Sequence, residues 1–195
     1  AVSNATIIAV PGNHDVDCDA TIPISWDTVG ERNQKFFFNE DEHGQKIRKA
    51  RFIVFEAYQM FVETNSITSP NPAKEVSLLI EEESYPFDII ATNTSFFSDH
   101  EQDSSKEITP SPIESLNHLL NRRRTDKPII ILAHHPLTCL LNHQQQQFCT
   151  LLKEKKAVLF HGHEHKPKVS FNRDGTIRTL GFGAAYLSGQ RCLSR

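Results

Sequence analysis

Long apolar runs are missing from this chain of 195 residues. No stretch approaches the roughly 20 apolar residues that a membrane-spanning helix requires, so no such helix is expected. A basic start followed by an apolar stretch is also missing, and no secretory signal is expected. A large charge of one sign is lacking: the net charge is −3, so no global basic field draws the chain to nucleic acid or to an anionic membrane. Cysteine is scarce, and Cys18, Cys139, Cys149 and Cys192 form no CxxC pair. That argues against a disulfide framework and against a cysteine zinc site. Asn4-Ala5-Thr6 and Asn93-Thr94-Ser95 match a glycosylation sequon, but without a secretory signal both read as chance. A reducing, cytoplasmic setting is the expectation. Repeats and linkers are lacking too, so residues 1–195 are expected to form a single domain with a sizeable core. There is no initiator Met, and the chain enters an apolar run within a few residues. Sequence N-terminal to Ala1 is therefore expected to belong to the same domain.

What is present is one design used three times. Ile7-Ile8-Ala9-Val10 stops at Pro11-Gly12 and delivers Asn13-His14-Asp15. Ile129–Ala133 runs into His134-His135-Pro136, and Ala157–Phe160 runs into His161-Gly162-His163-Glu164-His165. Each run is short enough for a buried strand, and an uninterrupted apolar run suits a sheet covered on both faces. Each strand then carries a polar cluster to its C-terminal end, the edge where open α/β sheets bind ligands. Six of the 10 histidines stand in these clusters, which is hard to reconcile with scattered structural histidines.

Between the clusters, residues 16–33 read as an active-site loop. Asp15-x-Asp17-x-Asp19 invites a calcium-loop reading, but that loop needs Gly next and Glu at its twelfth position. Ala20 and Trp26 stand there instead, which rejects it. Residues 34–64 are rich in aromatics, with near-helical spacing from Ile47 on, and core packing explains them best. Val76–Ile80 and Phe87–Thr92 read as strands, and residues 98–110 as a loop. Ser111-Pro112-Ile113-Glu114 predicts a helix start with Ser as N-cap. Ile113, Leu116, Leu119 and Leu120 form its buried stripe, and Arg122-Arg123-Arg124 suit the negative end of its dipole. A second helix is expected over 144–155, with Phe148, Leu151 and Leu152 inward. Lys168–Phe171 and Thr176–Leu180 flank an Asp174-Gly175 turn and predict a hairpin. The alternation of strands and helices places the fold in the α/β (α+β) class.

The clusters contain imidazole, carboxamide and carboxylate but no thiolate, a donor set that suits zinc, manganese, iron or nickel. His163-x-His165 can serve one metal or two neighbouring ones. Asn13 can offer its carbonyl oxygen, and Asp15 is available to orient a ring and hold its tautomer.

Gly12-Asn13-His14-Asp15, His134-His135-Pro136 and Gly162-His163-Glu164-His165 together resemble the calcineurin-like metallophosphoesterases. They match that superfamily's GNH(D/E), lone-His and GHxH motifs in order and separation, from about Ile7 to Leu180. The run from Val10 to Asp17 is most similar to the bacterial cyclic-nucleotide phosphodiesterase-like branch. The resemblance implies a β-sandwich flanked by helices and a centre of two divalent metal ions. It implies that Asn13, His134 and His163 ligate one metal and His165 the other. His134 is preferred to His135 because the family ligand usually stands two residues before the proline. His14 would protonate the leaving oxygen or steady the phosphate, with Asp15 behind it, and His161 receives no role. The family's Asp-x-His and Gly-Asp-x-x-Asp motifs, which supply the other metal's ligands and a bridging aspartate, do not occur in this chain. Either the first βαβ portion that carries them lies upstream of Ala1 or this half-site is degenerate; the former is the expectation, because the remaining ligands are intact.

The implied activity is hydrolysis of a phosphodiester, a cyclic nucleotide or a nucleic acid strand, by a metal-activated water. Two rivals remain, of which only the second belongs to another class. One is a nuclease effector domain of a larger signalling or defence protein, with fused or associated domains. The other is a non-catalytic binding module, from which the intact histidines and any retained metal would distinguish the enzyme.

Overall fold

Three of the apolar runs lie side by side as parallel strands in the computed structural model of the chain, which describes residues 6–17, 29, 34–49, 51–98 and 110–182. These are β2 (Asp88–Thr92), β3 (Ile129–Ala133) and β4 (Ala157–His161). Parallel neighbours need a crossover between them. Helix α3 (Ile113–Arg122) provides it from β2 to β3, and α4 (Asn142–Glu154) from β3 to β4. Antiparallel β1 (Ser77–Ile80) borders β2, and the hairpin of β5 (Lys168–Phe171) and β6 (Ile177–Gly181) closes the other side. The sheet order is β1-β2-β3-β4-β6-β5, with β4 and β6 parallel. The described residues thus form one six-stranded mixed sheet with helices, an α/β fold; they include no second sheet facing it.

Burial follows the two-residue period of a strand. Ile129, Ile131 and Ala133 on β3, and Ala157 and Leu159 on β4, are buried against Leu116, Leu120, Phe148, Leu151 and Leu152 of α3 and α4. Ile130, Leu132, Val158 and Phe160 are only half-buried. The uninterrupted apolar runs therefore do not mean equal cover on both faces; only β2 is buried at every position. A second core, of Val16, Phe37, Phe38, Val54, Phe55, Val76, Phe96 and Phe97, sits past the end of β2. Its rings meet edge to face, as Phe37 and Phe96 do at 5.3 Å, an arrangement that adds to simple area burial.

Three local expectations change. Among the described residues Ile7–Val10 is not a sheet strand: Ile8 makes an isolated bridge to Thr68, and Ile7 is exposed. An apolar run becomes a sheet strand only where a neighbouring strand pairs with it along its length, and among the described residues this run makes an isolated bridge instead. The aromatic segment forms two helices, α1 (Glu42–Lys49) and α2 (Glu56–Thr64), separated by a 3-10 turn over Phe52–Phe55. The Ser111 cap does not form. Helix α3 begins at Ile113 behind Pro112, the Ser111 N–H goes to Gln144, and the Ser111 hydroxyl has no hydrogen-bond partner. At the far end of α3, Arg123 is bound to the buried Asp88 carboxylate at 2.6 Å, a specific ion pair.

One buried cation organises the second core. The Arg48 side chain, fully buried, donates to the carbonyls of Phe37 at 2.6 Å, Asn39 at 2.7 Å and Lys74 at 3.1 Å. It also pairs with Glu40 at 3.2 Å, and Glu40 accepts from the Ser115 hydroxyl on α3. The hairpin turn is as predicted: Gly175 has φ 81°, a conformation open to glycine at little cost. Most of residues 16–33 and 98–110, Asn4 of the first sequon, Cys18 and Cys192 lie outside the described residues. No described helix is long and apolar enough to cross a membrane.

Candidate metal centre

The parallel strands point the same way, so the residues that follow β2, β3 and β4 gather at one edge of the sheet. β2 delivers Asn93-Thr94-Ser95, β3 delivers His134-His135, and β4 delivers Gly162-His163. The Pro11-Gly12-Asn13 turn is fastened to the same edge, although its own segment is no strand. The Ser95 hydroxyl donates to the Pro11 carbonyl at 2.9 Å. The Gly12 N–H donates to the Asp15 carboxylate at 2.8 Å, while the Asp15 N–H donates back to the Gly12 carbonyl at 3.1 Å. This reciprocal clamp shapes the 3-10 turn Asn13–Asp15 and leaves Asn13 buried, with His14 and Asp15 exposed.

Asn13 Oδ1 lies 2.6 Å from His134 Nε2, across 121 residues of sequence. His163 Nδ1 lies 3.3 Å from the same nitrogen. His135 joins them: one ring nitrogen from each of His134, His135 and His163 lies within 4.8 Å of the other two. The rings of His134 and His135 stand edge to face with centroids 4.8 Å apart, and those of His135 and His163 are 4.9 Å apart. Gly162 closes the arrangement by donating its N–H to the His134 carbonyl at 3.0 Å. His163 and His165 both adopt left-handed backbone, with φ 66° and 57°. Such values are uncommon outside glycine and are found where surroundings impose them, often at functional sites.

The electrostatics favour neutral rings. His134 is pushed down to about 4, first by burial and then by the charges of His163, His14, His165 and His161. Burial also holds His135 well below the ordinary imidazole range. At neutral pH these rings carry free lone pairs, the form that binds a metal. One proton on His134 Nε2 can serve either Asn13 Oδ1 or His163 Nδ1, whereas a cation placed among the three atoms serves all of them. Four ligands about 2.0–2.1 Å from a zinc ion stand roughly 3.3–3.4 Å from one another. The spacing of His134 and His163 matches that edge, and the Asn13 oxygen, at 2.6 Å, must retreat by about 0.7 Å to reach it. The donor set therefore fits a divalent ion.

Of the sequence-selected residues, Asn13, His134 and His163 are brought together. His14 and His165 are exposed and near enough for their charges to act on His134, but the group of three imidazoles does not include them. Asp15 uses one carboxylate oxygen to hold the Gly12 turn. His161 is buried, with Nδ1 3.1 Å from the Gly162 carbonyl. Three participants were missed: His135, Thr94 and Ser95. The signal for the last two was the same strand-then-polar pattern, since both follow directly on the apolar run of β2.

A family model described as calcineurin-like phosphoesterase matches residues 2–167. Searches of curated proteins and of solved structures give no significant match.

Proposed function

The chain belongs to the calcineurin-like phosphoesterase family, and from that premise we propose that it hydrolyses a phosphodiester at the edge formed by Asn13, His134 and His163. The observation that carries this reading is the meeting of those three donors, from three distant parts of the chain, on one ring nitrogen. Asn13, His134 and His163 would hold one divalent ion, and His165 would contribute to a second. Zinc, manganese, iron and nickel all suit these donors. A divalent ion supplies Lewis acidity at a phosphoryl oxygen and makes water a nucleophile at neutral pH.

The remaining roles belong to the chain itself. Asn13 offers an amide oxygen from a turn held by Asp15 and Ser95, so its position is set before any substrate arrives. His14 stands exposed beside the donors and can give a proton to the leaving oxygen, a contribution typical of general acids. Asp15 acts by fixing the turn on which His14 stands. The substrate class we favour is a cyclic nucleotide. A long nucleic acid strand needs clustered Lys and Arg along a groove, and the net charge of −3 does not favour one.

The test is hydrolysis of bis-p-nitrophenyl phosphate and of a cyclic nucleotide by the chelator-treated chain, with manganese or zinc restored. Ion-dependent turnover that disappears in His134→Ala and Asn13→Ala is the expected result. Turnover that persists in chelator, or that both variants retain, would overturn the proposal.

A further inference from the structure

His135 is one of the most completely buried polar side chains in the protein, at 1% exposure. Its Nδ1 lies 3.0 Å from Thr94 Oγ1, and its backbone N–H donates to that same oxygen at 3.2 Å. Its Nε2 is buried and has no hydrogen-bond partner. Buried polar atoms are nearly always partnered. Packing alone does not explain an imidazole here, because an apolar ring would fill the space without an orphaned nitrogen.

The neighbours of that ring supply an explanation. His135 lies among His134 and His163, with a ring nitrogen of each within 4.8 Å of the others. Three imidazoles have nothing to offer one another at these positions that a single shared cation would not satisfy better. We propose that His135 is a further ligand of the ion held by Asn13, His134 and His163, with Nε2 as its donor atom and Thr94 as its orienting partner. The assignment rests on the metal-centre reading above. In the ligating tautomer, Nδ1–H donates to Thr94 Oγ1, which leaves the Nε2 lone pair free; such outer partners are what fix the tautomer of a metal-bound histidine.

Two consequences follow. β2 becomes part of the site, because Thr94 stands two residues beyond its last residue, Thr92. The donor set becomes three imidazoles and one amide oxygen, which is nitrogen-rich and uncharged. It favours zinc, nickel or iron over magnesium and calcium, whose preferred ligands are oxygen.

The experiment uses the full chain stripped with chelator and loaded with one equivalent of cobalt(II) or zinc. X-ray absorption of the unaltered cobalt form counts imidazoles directly: three are expected, and two would overturn the assignment. His135→Asn retains an amide near Thr94 but removes the donor at Nε2. It is expected to weaken zinc binding by at least about 10–100-fold and to reduce the imidazole count by one, with the near-ultraviolet circular dichroism of the stripped chain preserved. Thr94→Val is expected to weaken zinc by about 10-fold with the count unchanged. If His134→Ala loses zinc while His135→Asn binds it like the unaltered chain, His135 is only a core residue and this inference fails alone. If the unaltered chain binds neither ion, the metal-centre reading fails and takes this inference with it.

Discussion

Gly12→Ala isolates the geometry of the centre from every other property of the chain. Gly12 has φ −98° and ψ 177°, an extended conformation that alanine adopts freely. The backbone therefore offers no resistance, and any effect comes from the added methyl. That methyl would stand 2.8 Å from His134 Nδ1, 2.9 Å from Cε1 and 3.3 Å from Cγ. Contacts of this kind are comfortable near 3.5 Å, so the ring must withdraw by about 0.7 Å. Metal–ligand distances tolerate only about 0.2 Å, and Nε2 already lies against Asn13 at 2.6 Å. A displaced ring of this size should weaken zinc binding about 10–100-fold, or roughly 1.4–2.8 kcal/mol at about 1.4 kcal/mol per tenfold. Gly162→Ala is the internal control. Its methyl would meet the same His134 Nδ1 at 3.6 Å, an ordinary contact, and binding should stay within about threefold, or roughly 0.6 kcal/mol. Zinc titration of both stripped variants against a chromophoric chelator reads the difference, with melting curves to check folding. Unchanged affinity in Gly12→Ala, or an equal loss in the two variants, would refute the argument from ring position.

Other outcomes are expected. Arg48→Met should destabilise the fold by about 3–5 kcal/mol, because Glu40 and three carbonyls lose a buried cation; a chemical melt within 1 kcal/mol of the unaltered chain (about that size being typical of surface changes) would contradict the organising role given to Arg48. His14→Ala should leave metal content unchanged and lower turnover by about 10²–10⁴-fold on alkyl esters, with a smaller loss on p-nitrophenyl esters, whose leaving group needs less protonation. Equal losses on both substrates would count against a general acid. The metal-free chain should lose stability as pH falls. His134 is lowered from 6.5 to about 4 on folding, so its contribution is present above pH 6.5 and is lost as pH falls toward 4. Its share is roughly 2 kcal/mol between pH 7 and pH 5, with His135 acting in the same direction; denaturant melts in chelator that coincide at the two pH values would show that these rings are not desolvated. Gly175→Ala should cost about 1–2 kcal/mol at its φ of 81°, measured by thermal melt, and an unchanged melting temperature would mean that the turn relaxes.

Much of the fold is legible locally. The runs Ile129–Ala133 and Ala157–His161 form strands where they were read, because a short β-branched segment bounded by breakers has few alternatives. The stripe of Leu116 and Leu120 and that of Phe148, Leu151 and Leu152 are buried as their helical spacing requires. Ile7–Val10 fails by the same logic. Its composition is that of a strand, but pairing is supplied by a neighbour, and composition says nothing about which neighbours are free. Ser111 is likewise held by a distant partner, since Gln144 takes its N–H, and the helix starts behind Pro112 with no side-chain cap.

By itself the sequence determined the chemistry available to this protein. The motifs Gly12–Asp15, His134–Pro136 and Gly162–His165 pointed to the family and the α/β class, and put forward Asn13, His134 and His163 as candidate donors. Residue type and order carry that information because ligand chemistry resides in the side chain. Only the tertiary structure decided which donors share a point in space. Parallel strands of equal direction bring the ends of β2, β3 and β4 to one edge. Ser95 fastens a non-strand segment there, and Thr94 holds the His135 ring beside those of His134 and His163. Those outcomes depend on strand neighbours and on hydrogen bonds between residues dozens of positions apart, and no local pattern encodes such partners.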